Sequence, residues 1–178
     1  SRDLHRGKSL SPVLKLSGVK LHDDYRALTA AIREKETISP AAVWFIDNFH
    51  IIEDQLRSIK QDLPQNYYHQ LPKLASGELK GFPRVYALSL AIIAHTDSRL
   101  DVELLRRFLV AYQRVSPLQI GELWAVAITL RIALIEHLTP LTQAIASSRR
   151  NREAGDRLAD ALLKLAVQAD TQPHDLVQ

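Results

Sequence analysis

The sequence predicts an all-α fold, a bundle or an array of αα-hairpins of about six helices, with an extended N-terminal arm. Apolar residues return every three or four positions through most of the chain, as they do on the buried face of a helix. Proline and short polar residues stand where helices begin. No alternation typical of a strand stands out. An apolar content of 46% against 24% charged residues is sufficient for a hydrophobic core.

The N-terminal region differs from the rest of the chain. Residues 1–20 are predicted to form an extended basic arm, because Pro12 and Gly18 interrupt any helical period. Its lysine and arginine side chains are expected either to be solvated or to contact an anionic membrane surface. A first helix is predicted at 23–35, where acidic residues in the first turn favour the helix dipole.

The second helix has a clear start. Ser39 is a suitable N-cap and Pro40 suits the first helical position, so a helix is predicted from Pro40 to Asp62. Glycine and proline residues recur through the stretch 63–82, which predicts irregular structure there. A short helix is predicted within it at about 66–71.

Two further helices follow at positions marked by their first residues. A third helix is predicted from Pro83 to His95, and a fourth from the cap residue Asp101 to Val115. The apolar positions of the fourth helix form a regular three-and-four pattern: Leu104, Leu105, Phe108, Leu109 and Tyr112.

The fifth predicted helix, 118–138, is apolar on nearly every face. Ser116 and Gln119 have the spacing of a capping box at its start. Such a helix lies either in the centre of a bundle or in a membrane. Glu122 and Arg131 would each cost roughly 2.5–3.5 kcal/mol or more near a bilayer centre, so we predict a buried helix of a soluble bundle.

Pro140 is predicted either to start or to kink a last helical stretch, which continues to about Asp170. The helical domain is therefore expected to span 21–170, and residues 171–178 are expected to form a frayed tail.

Missing residue types exclude several classes of function. The chain has no cysteine, which excludes disulfides, thiolate metal ligands and a thiol nucleophile. It has no methionine either, so we expect it to be part of a longer polypeptide. The seven histidines never stand at the spacing of a helical metal site. The net charge is only +3 and no nucleic-acid-binding module stands out, so we expect no nucleic acid as a partner. We also expect no metal site and no cofactor in this chain.

Polar residues interrupt the apolar helices at five places: Asp47, Asn48, Arg84, Glu122 and Arg131. An isolated buried charge is costly, so such residues usually pair. We therefore favour an internal polar network that fixes the helices in register. The alternative is a polar pocket for a sugar or a partner loop.

Aromatic side chains offer a second set of candidate sugar contacts: Trp44, Tyr67, Tyr68, Tyr86 and Trp124. At helical spacing such residues more often belong to a core, but exposed rings could stack on sugar rings. An independent glycosidase would need two acids across one cleft, and Glu53 and Glu122 are candidates only if the fold brings them together. We expect no catalytic residue in this chain.

Several stretches together resemble a known family. They include Trp-Phe-Ile-Asp-Asn-Phe-His at 44–50, Phe-Pro-Arg-Val-Tyr-Ala-Leu at 82–88 and Leu-Gln-Ile-Gly-Glu-Leu-Trp-Ala at 118–125. Over about 40–138 the chain is similar to the N-terminal, pre-membrane part of the cyclic β-1,2-glucan synthases.

The resemblance implies a large multidomain parent of the bacterial inner membrane, a glycosyltransferase that polymerises glucose from UDP-glucose into β-1,2-glucan. Its catalytic residues would lie in other domains, so none is carried onto this chain. A helix-rich core without reactive clusters favours an accessory or scaffold domain, with the other domains of the synthase as partners. As part of such a membrane protein, the chain is expected on the cytoplasmic side of the inner membrane. A glucan-binding module is the alternative, with glucan as the ligand.

Overall fold

The computed structural model describes residues 7–62, 68, 70–96 and 99–170. Helices account for most of this part of the chain, and its only β-structure is an isolated bridge between Lys73 and Pro83. The predicted all-α fold is confirmed. The helices are α1 Ser11–Arg33, α2 Pro40–Asp47, α3 Phe49–Asp62, α4 Arg84–His95, α5 Val102–Val115 and α6 Ile120–Asp170.

The first helix begins well before its predicted start, so the prediction of an extended arm is wrong for residues 11–20. Pro12 lies in the first turn of α1, where its missing N–H costs no helical hydrogen bond. Gly18 is buried against α3, and a methyl group built on it would lie 3.6 Å from the Leu56 side chain. Residues 1–6 and the predicted tail, 171–178, lie outside the described residues.

The described residues before α1 are attached to the body of the protein. The backbone N–H of Lys8 donates to the carbonyl of Gly81 at 2.7 Å, and its ammonium lies 5.2 Å from the centre of the Phe82 ring. Leu10 is buried in the core. This short segment therefore packs on the connection before α4.

The helix predicted from Pro40 to Asp62 is instead two helices. Its predicted cap is confirmed, because the Ser39 hydroxyl accepts the N–H of Ala42 at 3.2 Å. The break falls at Asn48, whose side-chain amide donates to the Trp44 carbonyl at 2.8 Å. Asparagine competes in this way for backbone groups that would otherwise continue the helix. Most of the helix predicted at 66–71 lies outside the described residues.

The starts of the next two helices agree with prediction. Helix α4 follows Pro83, and the Asp101 carboxylate caps α5 by accepting the N–H of Leu104 at 2.6 Å. Four of the five apolar positions predicted for α5 are half-buried and pack against the hydrophobic core: Leu105, Phe108, Leu109 and Tyr112. Its amphipathic pattern therefore predicted the correct inward face.

The last two predicted helices are one continuous helix, α6, which is 51 residues long. Pro140 lies inside it and does not end it. Beside it the Thr139 hydroxyl donates to the carbonyl of Ile135 at 2.9 Å, and the Thr142 hydroxyl donates to the Asp24 carboxylate of α1 at 2.7 Å. These contacts support the helix on both sides of the proline.

The first part of helix α6 occupies the centre of the fold, as predicted, whereas Leu158, Leu162 and Leu163 farther along the helix are exposed. Helix α6 packs against α1, α2, α3 and α4. Part of the stretch Ile120–Leu163 is long and apolar enough to cross a membrane, and 56% of that part is buried inside the protein. The central helix of a soluble bundle has the same properties.

Candidate functional site

An enclosed ionic cluster joins the start of α4 to the start of α6. Arg84 donates to both carboxylate oxygens of Glu122, from Nε and from Nη2, each at 2.7 Å. The same guanidinium donates to the hydroxyl of Ser116 and to the carbonyl of Pro117, both at 2.6 Å. The Glu122 side chain is 0% exposed and that of Arg84 is 21% exposed. This is a bidentate, charge-assisted pair in a largely dry site.

Glu122 has a second role, because it also caps α6. One of its carboxylate oxygens accepts the backbone N–H of Gln119 at 2.9 Å, which satisfies a donor at the helix start. The capping box predicted from Ser116 to Gln119 is therefore wrong: the cap lies three residues later, since the Ser116 hydroxyl accepts from Arg84 instead. Hydrogen bonding to Glu122, partly offset by burial, raises the pKa of the Arg84 guanidinium.

Arg131 forms a separate cluster between α6 and the last turn of α3. Its guanidinium donates to the Ser58 hydroxyl at 3.0 Å and to the Asp62 carboxylate at 2.9 Å. The Ser58 hydroxyl donates in turn to the Asp62 carboxylate at 3.1 Å. The hydrogen bond from Arg131, and then that from Ser58, hold the pKa of the Asp62 carboxyl below its usual value. Both side chains are partly exposed, at 32% for Arg131 and 52% for Asp62, so the pair lies at the surface of the helix contact.

Asp47 and Asn48 belong to neither cluster. Asp47 is exposed at the end of α2, where its carbonyl accepts from the His50 ring at 3.1 Å. The Asn48 amide donates back to the Trp44 carbonyl of the preceding helix, α2. The five polar residues predicted to form one network are therefore not in one place. Arg84 and Glu122 pair with each other, and Arg131 bonds α3 at a separate position.

The candidate aromatic residues divide by burial. Tyr86 is 1% exposed and its hydroxyl donates to the carboxylate of Glu136; burial, and then this bond, raises its pKa. Tyr68 is 8% exposed, so neither tyrosine presents a free ring face. Trp44 on α2 is 63% exposed and Trp124 on α6 is 78% exposed. Tyr67 lies outside the described residues.

The acids considered for a glycosidase do not form a pair across one cleft. Glu53 lies on α3, 3.8 Å from the His22 ring, and lines a cleft of about 550 Å³ between α1 and α3. Glu122 is enclosed by its bonds to Arg84 at the start of α6. Within the described ranges, no group of three His, Asp or Glu residues is arranged to hold a metal ion.

One polar contact was missed by the sequence interpretation. Ser89 of α4 and Thr129 of α6 are buried, and their hydroxyls lie 2.9 Å apart. Each hydroxyl also lies within hydrogen-bond distance of a carbonyl one helical turn earlier in its own helix. Since each hydroxyl carries a single proton, one of them donates across the contact and the other donates to its own helix. A serine or threonine whose hydroxyl is hydrogen-bonded in this way can be buried like an apolar residue. The sequence could have indicated this contact only through two hydroxyl residues on otherwise apolar helix faces.

Comparison with known proteins relates this chain to a much longer one. No family model matches the sequence. Over 142 residues, 79% of this chain, it is 37% identical to the cyclic beta-(1,2)-glucan synthase NdvB of Rhizobium meliloti (strain 1021). The aligned segment is 5% of the length of that protein. The similarity confirms the family resemblance predicted from the residues.

Proposed function

We propose that this chain, which is related by sequence to a segment of the cyclic β-(1,2)-glucan synthases, is a non-catalytic helical scaffold domain of such an enzyme. The observation that supports this function most directly is the state of Glu122. Both of its carboxylate oxygens bind Arg84, and the side chain has no exposed surface. An acid in this state stabilises a fold and cannot reach a substrate.

The parent enzyme would polymerise glucose from UDP-glucose in domains outside this segment. The other domains of the synthase are then the partners of this chain, and the chain itself needs no cofactor. The two ionic clusters would fix the orientation of α3, α4 and α6, so that their outer surfaces form a rigid platform.

The test is made in a full-length synthase that contains this segment. Deleting residues 40–138 is expected to abolish both the assembled enzyme and its glucan product. Arg84→Met is expected to lower the amount of assembled enzyme but to leave the activity of each assembled molecule unchanged. The matched control is Arg106→Met, which removes an exposed pair with Glu103. Unchanged assembly and product after the deletion would contradict a scaffold role.

A glucan-binding module is the second candidate, and the exposure of Trp44 and Trp124 favours it. Exposed tryptophan faces are suitable for stacking on sugar rings. Titrating the purified chain with β-1,2-glucan to millimolar concentration, while tryptophan fluorescence is recorded, distinguishes the two functions. Trp44→Phe and Trp124→Phe would then assign any change to one ring, and an unchanged signal would remove this candidate.

For location we propose the cytoplasmic side of the bacterial inner membrane, with the basic N-terminal residues near anionic lipid. Arg2, Arg6 and Lys8 provide the positive charge. Protease treatment of spheroplasts should leave this segment intact, and treatment of inverted vesicles should cleave it. The opposite pattern would assign it to the periplasmic side.

A further inference from the structure

One face of α6 remains apolar and exposed although the helix is central to the fold. Its residues alternate at spacings of four and three, and we call them the α6 stripe: Ile120, Trp124, Ala127, Arg131, Leu134, Leu138 and Leu141. Ile120 is 72% exposed, Trp124 is 78% exposed and Leu141 is 51% exposed. Leu134 and Leu138 are half-buried.

The spacing of the stripe is that of a helix–helix contact. A repeat of 3.5 residues keeps apolar side chains on the side of a helix that faces a partner helix. From Ile120 to Leu141 the stripe extends roughly 32 Å at 1.5 Å per residue, a length suitable for three heptads. The exposed apolar side chains Ile120, Trp124 and Leu141 extend this face beyond the half-buried Leu134 and Leu138, and a group of exposed apolar side chains of this kind marks an interaction site.

The neighbouring helix gives the stripe a concave border. Gln55 of α3 and the outward side chains from Arg131 to Leu141 line a groove of about 350 Å³. Arg131 lies in the middle of the stripe and is held by Ser58 and Asp62. A single polar residue in an apolar contact of this kind fixes the register of the partner.

We propose that a helix from the remainder of the synthase polypeptide packs along the α6 stripe; this inference rests on the proposed function. The aligned segment is only 5% of the related synthase, so nearly all of that polypeptide lies outside it. A segment of the same chain binds at a high effective concentration and needs little intrinsic affinity. The partner helix is apolar at the same spacing, with a hydrogen-bond acceptor opposite Arg131.

A bilayer fits this surface less well than a helix does. Burial in hydrocarbon would place both charges of the Arg131–Asp62 pair in lipid, and charged side chains there are costly. A groove bordered by α3 accepts the ridge of side chains on a second helix. A flat lipid surface would leave it unfilled.

The two tryptophans of the chain allow a direct test by oxidative footprinting and mass spectrometry. Both rings are exposed, but only Trp124 lies on the stripe. In the full synthase, labelling of Trp124 is expected to fall at least fivefold relative to the separate chain, with Trp44 as the internal reference. Equal labelling of Trp124 in both samples would overturn the inference.

Two other occupants give distinct results. Protection of Trp124 that rises with the concentration of the separate chain would assign the stripe to a second copy. Protection produced by anionic vesicles would assign it to a membrane. Either result contradicts the proposed helix.

A variant pair tests the contact without relying on protection. Trp124→Glu changes an exposed residue and should leave the helical circular dichroism of the separate chain unchanged. It is expected to lower the amount of assembled synthase several-fold. Val102→Glu, at a residue of α5 that is 84% exposed, is the control and should assemble normally. If the deletion abolishes assembly but Trp124→Glu does not, the scaffold function survives and the α6 stripe is not the contact.

Discussion

Replacing Arg84 with methionine removes one charge of the enclosed ion pair while keeping most of the apolar stem. Glu122 then keeps only the bond from the Gln119 N–H, and the two 2.7 Å bonds from Arg84 are lost. Breaking a buried pair by removing one partner typically costs 3–5 kcal/mol. Since the Arg84 side chain is 21% exposed, we expect the lower end, about 3 kcal/mol.

That loss is large compared with a total stability of about 5–15 kcal/mol. For a chain of this size it corresponds to a fall of roughly 6–12 °C in the melting temperature. Urea unfolding followed by circular dichroism and tryptophan fluorescence measures the free energy of unfolding directly. Arg106→Met is the matched control, because its pair with Glu103 is exposed and its loss should leave the urea midpoint unchanged.

The double variant, Arg84→Met with Glu122→Met, separates pairing from packing. Replacing both charges with apolar side chains often restores stability, so we expect it to be more stable than Arg84→Met alone. A loss below about 1 kcal/mol for Arg84→Met, or a double variant whose loss is the sum of the two single losses, would refute the assignment of Glu122 as a buried, paired charge.

Three further changes are expected to have measurable effects on unfolding. The pKa of Asp62 is lowered in the folded protein, so its stabilising contribution is present above about pH 3.9 and is lost as the pH falls below that value. The urea midpoints of the wild type and Asp62→Asn should therefore converge in acid, and a constant difference would contradict this. Pro140→Ala restores a backbone donor inside α6 and should raise stability by about 1–3 kcal/mol; a loss of stability would mean that α6 requires the proline. Ser89→Ala should cost about 1 kcal/mol, and adding Thr129→Val should cost little more, because the two hydroxyls share one contact; additive losses would show that they act separately.

The starts of α2, α4 and α5 were correctly predicted from the sequence. Ser39 and Asp101 cap helices through local bonds to residues three positions later, so the signal and the structure lie in the same few residues. Pro12 and Gly18 misled the prediction for the opposite reason. Helix α1 tolerates Pro12 because this residue lies in its first turn, and it tolerates Gly18 because this residue packs against α3. A local sequence pattern shows neither the position in the helix nor the contact.

The sequence indicated which charged residues lie within apolar helices, but it did not indicate which of them pair with each other. A charge within an apolar helix indicates that a partner exists, as Arg84 and Glu122 illustrate across 38 positions. Which partner is chosen depends on the packing of helices that are distant in sequence. Asp47 shows the limit, because a position near the end of α2 leaves its side chain exposed.

The proposed scaffold function is tested most directly by adding this chain in trans to a synthase from which residues 40–138 have been deleted. The separate wild-type chain should bind the deleted enzyme and restore glucan synthesis from UDP-glucose. The Trp124→Glu chain should bind more weakly, and Val102→Glu should match the wild type. A deleted synthase that makes normal amounts of glucan and does not bind the added chain would contradict a structural role for this domain.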